Sequence, residues 1–278
     1  MKKYRVLIDA IDEKGLVYKI SKLFFEYDLN VISNSEYVDN ENNKFFMRSV
    51  VEGGIDKKKL YDDLIEIMPL KATVKIVDTC KKNIVILATK ESHCLGDILI
   101  RYEAGELDAN ILCVIANYDI LEPLISKFGI PFHLVSHEGL NRSQHSGLIL
   151  EKLKEYDHLD YIVLAKYMRI LPAEFVETYP NQIINIHHSF LPAFIGANPY
   201  KQAYERGVKI IGATAHFVSN NLDEGPIIEQ QIKNVNHAHG WTDMRDAGRD
   251  VEKVVFSNAI KLALEDKIFI YGNKTIIF

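Results

Sequence analysis

Cysteine is scarce in this sequence: 278 residues contain only Cys80, Cys94 and Cys113, which are widely spaced. Three scattered thiols cannot form the disulfide framework of a small secreted domain, so we expect a reduced, cytoplasmic protein. The sequence also lacks an apolar run of membrane-spanning length, and residues 1–5 lead into a short strand rather than a secretory segment. We therefore expect neither a membrane anchor nor a signal peptide.

Basic residues are not in excess, because 33 Lys and Arg stand against 38 Asp and Glu, giving a formal charge of −5. This balance argues against a nucleic-acid partner, which would require surplus cations to displace phosphate counterions. No Gly-x-Gly-x-x-Gly follows a predicted strand, which disfavours a dinucleotide-dependent dehydrogenase. Metal-binding patterns are limited to His237 and His239, a pair typical of solvated loops, so we predict no metal.

Hydrophobic periodicity divides the chain into two parts. In residues 4–78 the predicted elements are a strand at 4–10, a helix at 15–27, strands at 29–38 and 45–51, a helix at 56–68 and a strand at 70–77. This βαββαβ order is typical of the ferredoxin-like arrangement. Polar residues 78–82 follow it, so the predicted domains are residues 1–80 and 83–278.

From residue 83 onward, strands alternate with helices. Strands are predicted at 84–88, 109–116, 132–135, 161–165, 183–186, 213–218 and 227–232. Helices are predicted near 94–104, 120–128, 141–156, 172–178 and 199–206, followed by a long helix at 241–265 and a hairpin at 268–278. Such alternation predicts an α/β, Rossmann-like domain with a mostly parallel sheet.

Three polar side chains near strand ends indicate the chemistry. Asn185 and His187 lie two residues apart on a predicted strand and therefore share one face. A strand that ends in polar residues before a proline-containing loop is where α/β sheets place their sites. Asp223 follows a later strand, in a turn that continues into Glu-Gly-Pro. An amide, an imidazole and a carboxylate together suit attack on a carbonyl carbon.

The motifs at 185–200, 212–218 and 222–228 resemble the formyltetrahydrofolate transferase and hydrolase superfamily, and within it the formyltetrahydrofolate deformylase family. The segments at 12–17 and 45–48 resemble the ACT regulatory domain that these deformylases carry. The resemblance implies hydrolysis of 10-formyltetrahydrofolate to formate and tetrahydrofolate, with Asn185, His187 and Asp223 as catalytic residues. Folate would be the substrate, and no cofactor is expected.

The resemblance also implies a folate site. Its predicted substrate-binding residues are Met168, Arg169, Ile170, Leu171, Arg142 and Leu222. A segment running from a buried strand into a helix would explain 164–171 nearly as well, and an exposed helix-start arginine would explain Arg142. His216, which alternates with Thr214 along a strand, is expected either to support the catalytic groups or to be a core histidine. His188 is expected to point away from His187 and to pack or cap the loop.

The acceptor of the formyl group decides between two enzymes. A phosphoribosylglycinamide formyltransferase must hold a phosphate, which related enzymes do with a glycine-rich loop after the first strand of this domain. The corresponding loop, 89–96, has no glycine cluster and carries Glu91, whose charge would repel phosphate. Hydrolysis is therefore preferred over transfer. A non-catalytic amino-acid-sensing protein is the second alternative.

The N-terminal segment has consequences for regulation and assembly. ACT-like domains commonly pair and bind small amino acids near the first strand-to-helix turn, here residues 9–16. An exposed sheet edge in so small a domain is also a pairing surface. We therefore expect a homodimer or homotetramer and a small amino-acid effector.

Overall fold

The computed structural model describes residues 2–193 and 199–278. The chain divides into two compact units, one that ends at Cys80 and one that extends from Lys81 to Ile277. The first unit contains β1 (Lys2–Ile11), α1 (Leu16–Glu26), β2 (Asn30–Asp39), β3 (Lys44–Gly53), α2 (Lys57–Ile67) and β4 (Thr73–Asp78). Its four-stranded antiparallel sheet has the order β2-β3-β1-β4, which confirms the predicted βαββαβ arrangement.

One face of this small sheet packs against the two helices. Residues of β1 alternate in burial, so Val6, Ile8 and Ala10 are buried, as the two-residue period of a strand requires. The apolar stripes of α1 and α2 complete this core with side chains that include Ile20 and Leu64. The same alternation explains why the sequence alone predicted these elements well.

The second unit is built around a larger sheet. Its elements are β5 (Lys82–Ala88), α3 (His93–Glu103), β6 (Ala109–Ala116), α4 (Glu122–Ile125), β7 (Phe132–Leu134), α5 (Arg142–Leu153), β8 (Tyr161–Ala165), α6 (Ala173–Thr178), β9 (Ile183–His187), α7 (Pro199–Arg206), β10 (Ile210–Phe217), β11 (Ile227–Asn234), α8 (Trp241–Leu264), β12 (Ile268–Tyr271) and β13 (Lys274–Ile277). Short 3-10 turns flank α4. β12 and β13 form the predicted closing hairpin.

In the described ranges, this sheet has seven strands in the order β11-β10-β9-β8-β5-β6-β7. Five neighbouring strands are parallel to one another, namely β9, β8, β5, β6 and β7. In contrast, β10 pairs antiparallel with both β9 and β11. The prediction of a mostly parallel sheet in an α/β domain is therefore confirmed. Chain order changes direction between β5 and β8, which is where open α/β sheets form their binding crevice.

Helices cover both faces of the seven-stranded sheet. Ile84 and Ile86 of β5 point into a core that includes α3 and α8. Their neighbours Val85 and Leu87 point into the opposite core, which includes α5 and α6. Strands buried on both faces read as continuous apolar runs, which explains the sequence pattern of β5, β6 and β8.

Among the residues that the structure describes, no helix is both long and apolar enough to cross a lipid bilayer. Residues 194–198 of the motif at 185–200 lie outside the described part of the chain.

Candidate active site

Strand register brings the first two polar groups together. β9 and β10 pair so that Asn185 lies opposite His216 and His187 lies opposite Thr214. Directly opposed residues on antiparallel strands have neighbouring side chains on the same face. The Asn185 amide Nδ2 accordingly lies 3.2 Å from His216 Nε2. A bulge between Ala215 and His216, in the pairing with β11, occurs at this same point, where bulges typically redirect a side chain.

Hydrogen bonds determine the orientation of the Asn185 amide. The Nδ1–H of His216 donates to the Phe217 carbonyl oxygen at 2.8 Å, because a carbonyl can only accept. Burial lowers the pKa of His216 below its ordinary value, so the ring is neutral and its Nε2 is an acceptor. The amide of Asn185 must therefore turn its NH2 group toward His216. One hydrogen of that group donates to Nε2, and the second remains available as a donor.

His187 and Asp223 form the second contact of the site. His187 Nδ1 lies 3.3 Å from Asp223 Oδ2, and both side chains are nearly buried, at 7% and 10% exposure. Burial raises the pKa of Asp223, but the hydrogen bond and charge of His187 outweigh it, so the pKa lies below its ordinary value. His187 Nε2 is buried and has no hydrogen-bond partner among the described residues. His187 is one of the residues that line the adjoining cavity, so this atom is a hydrogen-bonding group at the site that no described protein atom satisfies.

A tight turn carries Asp223 to this position. Asp223 adopts a left-handed backbone conformation with φ of 58°, which Asp and Asn tolerate better than most residues. Two residues later, a Cβ at Gly225 would stand 1.8 Å from the Phe217 carbonyl oxygen. Only glycine lets the turn lie this close to the end of β10. The sequence Asp-Glu-Gly therefore places a carboxylate beside two histidines.

A cavity of about 560 Å³ opens next to these groups. It is lined by the catalytic candidates Asn185, His187 and Asp223, by the segments 166–171 and 218–222, and by His216, Leu164, Ile186, Glu91, His188, Pro199, Tyr200, Lys201, Trp241, Arg245, Arg249 and Glu252. Met168, Ile170 and Leu222 expose apolar surface there, with 58%, 43% and 54% of each residue accessible. Exposed apolar side chains beside convergent polar groups are typical of a small-molecule site.

Most of the residues predicted from sequence line this cavity, and two do not. Arg169 and Leu171 line it together with Met168, Ile170 and Leu222. Arg142, at the start of α5, is exposed and is not among the lining residues. Thr214 is fully buried and is not among the lining residues either. Its hydroxyl donates to the Ser189 carbonyl and accepts from the Leu191 amide and the Gln230 side chain, which holds the loop after β9.

His188 differs from expectation. Side chains alternate only while a strand continues, and β9 ends at His187, so His188 also lines the cavity. Its ring centroid lies 5.2 Å from that of His187 and 6.0 Å from that of Tyr200. Burial, together with the nearby charge of Lys166, lowers the pKa of His188 to about 3. His188 is therefore a neutral ring beside the paired His187.

A buried charge network at the cavity was missed from sequence. Glu252 of α8 is 1% exposed; its Oε1 accepts from the Tyr200 hydroxyl at 2.5 Å, and its Oε2 accepts from His93 Nε2 at 2.8 Å. Lys166 Nζ lies 3.1 Å from the same Oε2. One signal could have revealed the network: Glu252 interrupts the apolar stripe of α8 that includes Gly248, Val255 and Ala259.

His93, Cys94 and Glu252 are close enough together to be metal ligands, because one donor atom of each lies within 4.8 Å of the others. Burial and the nearby Glu252 raise the pKa of the Cys94 thiol well above its ordinary value. Glu252 already faces three hydrogen-bond or charge partners, including the ammonium of Lys166. A neutral thiol and a saturated carboxylate suit a polar core better than a metal.

Known proteins are similar to this chain in sequence and in fold. The family described as formyl transferase matches residues 82–260. A formyltetrahydrofolate deformylase from Haemophilus influenzae is 55% identical over 272 residues, which cover 98% of each chain. The crystal structure of a formyltetrahydrofolate deformylase from Pseudomonas syringae pv. tomato superposes with a TM-score of 0.95 at 37% identity, covering 100% of this chain and 95% of that one.

A formyl-transferring enzyme of known structure is similar to part of this chain. The structure of glycinamide ribonucleotide transformylase 1 from Symbiobacterium toebii aligns with a TM-score of 0.68 at 30% identity. It covers 71% of this chain and 94% of its own. The full length of the present chain is thus matched by the deformylases, and a smaller part by the transformylase.

Proposed function

Because this chain belongs to the formyl transferase family and, within it, to the formyltetrahydrofolate deformylases, we propose that it hydrolyses 10-formyltetrahydrofolate to formate and tetrahydrofolate. The observation that carries this proposal is the convergence of Asn185, His187 and Asp223 at one cavity. These are the donor, imidazole and carboxylate that attack on a formyl carbon requires.

Each of the three side chains is assigned a role by its contacts. The free amide hydrogen of Asn185 and the Nε2 atom of His187 stabilise the oxyanion that forms when water attacks the formyl carbon. Asp223 stabilises positive charge on His187 and orients the attacking water. His216 acts through Asn185, whose NH2 group it holds in place.

The reaction balances with these groups and one water molecule. The water oxygen forms a bond to the formyl carbon, and one of its protons is removed with Asp223 as the base. The carbonyl oxygen becomes an oxyanion between Asn185 and His187. When the oxyanion collapses, the bond from carbon to N10 breaks, and N10 takes up the proton that Asp223 removed from the water, which restores the carboxylate and releases tetrahydrofolate. Formic acid loses its remaining acidic proton to solvent.

The folate ring is proposed to lie between the loop after β8 and the loop after β10. Met168, Ile170 and Leu222 provide apolar walls, and the backbone of the first loop offers hydrogen-bonding groups to the pterin edge. Arg169, which lines the cavity, is a better partner for the glutamate carboxylates than the more remote Arg142. No cofactor takes part in this proposal.

The cavity favours hydrolysis over formyl transfer to glycinamide ribonucleotide. In the loop after β5, Glu91 Oε2 lies 3.1 Å from an amino group of Arg249. A phosphate near this loop would have to compete with a carboxylate for the same guanidinium. The second alternative, a sensor without activity, leaves the convergence of three catalytic groups unexplained.

For the N-terminal unit, we propose an ACT-like regulatory role. The basis is the βαββαβ order and the turn at Gly15, whose φ of 92° begins α1. A small amino acid at this turn and a homodimer or homotetramer are part of the proposal. Gel filtration tests the assembly, and rates measured with a panel of amino acids test the effector.

A product assay tests the proposed activity. The purified full chain is mixed with 10-formyltetrahydrofolate, and formate and tetrahydrofolate are measured with and without glycinamide ribonucleotide. Equal yields of formate and tetrahydrofolate, independent of the amine, are expected. Formylation of the ribonucleotide without formate would identify a transferase, and the absence of both products would identify a non-catalytic protein.

A further inference from the structure

The cavity extends beyond the three catalytic candidates. Ring contacts lead from His187 to His188 and on to Tyr200, whose hydroxyl donates to Glu252. We call this part, formed by Lys166, Tyr200 and Glu252, the acceptor end. Water, the second reactant of a hydrolase, needs no binding site of its own, so the charged side chains of the acceptor end require a separate explanation.

Lys166 stands there in an unfavourable backbone conformation. It follows directly after β8 and has a φ of 58°, which lies in the left-handed region. For a residue with a Cβ this conformation costs roughly 1–2 kcal/mol relative to right-handed backbone, a cost that glycine does not bear. The side chain is nevertheless 3% exposed and points its ammonium at Glu252. The fold therefore retains a bulky side chain at a position whose backbone favours glycine.

Glu252 keeps this lysine in one place. Burial alone would raise the pKa of Glu252, but hydrogen bonds from His93 and Tyr200 and the charge of Lys166 lower it to about 2. The carboxylate is thus ionised, and each of its oxygens has a partner. A buried ammonium 3.1 Å from such an anchored charge cannot swing out without leaving both charges unpaired.

We propose that Lys166 is a specificity-determining residue, whose side chain fills the space that an amine acceptor would occupy and so restricts the nucleophile to water. This inference rests on the proposed hydrolysis of 10-formyltetrahydrofolate. Transfer to an amine would form a bond from the amine nitrogen to the formyl carbon and break the bond from that carbon to N10. One proton of the amine would pass to N10. Lys166 takes no part in either reaction and acts by exclusion.

The test opens the acceptor end and measures how the formyl group is partitioned. Lys166→Gly removes the side chain at a position where glycine fits the backbone. Lys71→Gly is the matched control, because Lys71 is an exposed lysine of the N-terminal unit with a left-handed φ of 68°. Each protein is incubated with 10-formyltetrahydrofolate and rising concentrations of glycinamide, a small primary amine. Formate, N-formylglycinamide and tetrahydrofolate are then quantified.

The wild type and Lys71→Gly should release one formate for each tetrahydrofolate at every glycinamide concentration. Lys166→Gly should form N-formylglycinamide at the expense of formate, with a ratio of transfer to hydrolysis at least about tenfold above the detection limit that the wild type does not exceed. Lys166→Arg refills the space and should restore exclusion. A purely structural role would lower all products together without changing this ratio.

Two results would overturn the inference: a ratio in Lys166→Gly equal to that of the wild type, or formylation of glycinamide by the wild type itself. Thermal melting checks that each variant is folded. If the glycine variant does not fold, Lys166→Ser opens the same space and takes its place in the assay. Formylation of glycinamide by the wild type would overturn the inference whether or not either variant folds. Failure of the proposed function is distinguishable, because the wild type would then release no formate under any condition.

Discussion

Replacing Asp223 by Asn removes a charge from the site while keeping the shape of the side chain. Asn tolerates the left-handed backbone of Asp223 (φ 58°), and its amide oxygen can still accept from His187 Nδ1. The substitution therefore isolates the charge and basicity of the carboxylate from its geometry. It tests the proposed role of Asp223 more directly than truncation to alanine would.

The size of the effect follows from the distance between the two groups. Unit charges 3.3 Å apart at an effective dielectric constant of about 20 interact by about 5 kcal/mol. If the imidazolium forms in the transition state, loss of this interaction lowers kcat by about 5,000-fold. Loss of a general base alone would account for about 10²- to 10⁴-fold. We expect kcat to fall by about 10³- to 10⁴-fold.

Folate binding should change little, because Asp223 lies at the reacting end rather than along the apolar walls. The assay combines single-turnover formate release with a fluorescence titration of tetrahydrofolate binding. Asp28→Asn is the matched control, since Asp28 is an exposed residue of the N-terminal unit with a φ of 52°. A kcat for Asp223→Asn within about tenfold of the wild type would refute the reasoning.

Three further outcomes are expected. Asn185→Ala should lower kcat by about 10²- to 10³-fold in steady-state assays, with a nearly unchanged KM, because one oxyanion donor is lost. The pKa of about 3 for His188 means that the unfolded chain binds a proton below pH 6.5 that the folded chain does not. The contribution of neutral His188 to the free energy of unfolding is therefore complete above this pH. As pH decreases below it, urea titrations should show the free energy of unfolding falling by about 1.4 kcal/mol per pH unit, and less steeply in His188→Gln. Gly225→Ala should lower the melting temperature by about 5 °C, since its Cβ meets the Phe217 carbonyl, whereas Gly147→Ala, with open space in α5, should not.

The fold was predictable because its signals are local. In β1, buried and half-exposed residues alternate, and in β5 an apolar run marks a strand covered on both faces. Both patterns depend on short stretches of sequence. The direction of β10 could not be read in this way, because strand direction depends on the path of the chain between strands. Only the register of β9 against β10 shows why Asn185 meets His216.

The predicted site was incomplete for two reasons. His188 was expected to point away from His187, because alternation was assumed to continue past the last residue of β9. Lys166 and Glu252 carry charges, which in isolation predict solvent exposure, yet both are buried because each is partnered by the other. Pairing between residues 86 positions apart (252 minus 166) depends on the packing of α8 and leaves no local pattern.

The choice between hydrolysis and transfer need not involve the catalytic groups at all. Water is present in such excess that it requires no binding site, so a hydrolase needs only to keep other nucleophiles away from the formyl carbon. A transferase of the same fold must instead hold its acceptor. In this chain, two charged contacts would hinder the binding of an acceptor: Glu91 pairs with Arg249, and Glu252 anchors Lys166. Among the described residues, neither pair shares a hydrogen bond or an ion pair with Asn185, His187 or Asp223, so we expect that acceptor specificity can change by substitution at the acceptor end while these three residues stay the same.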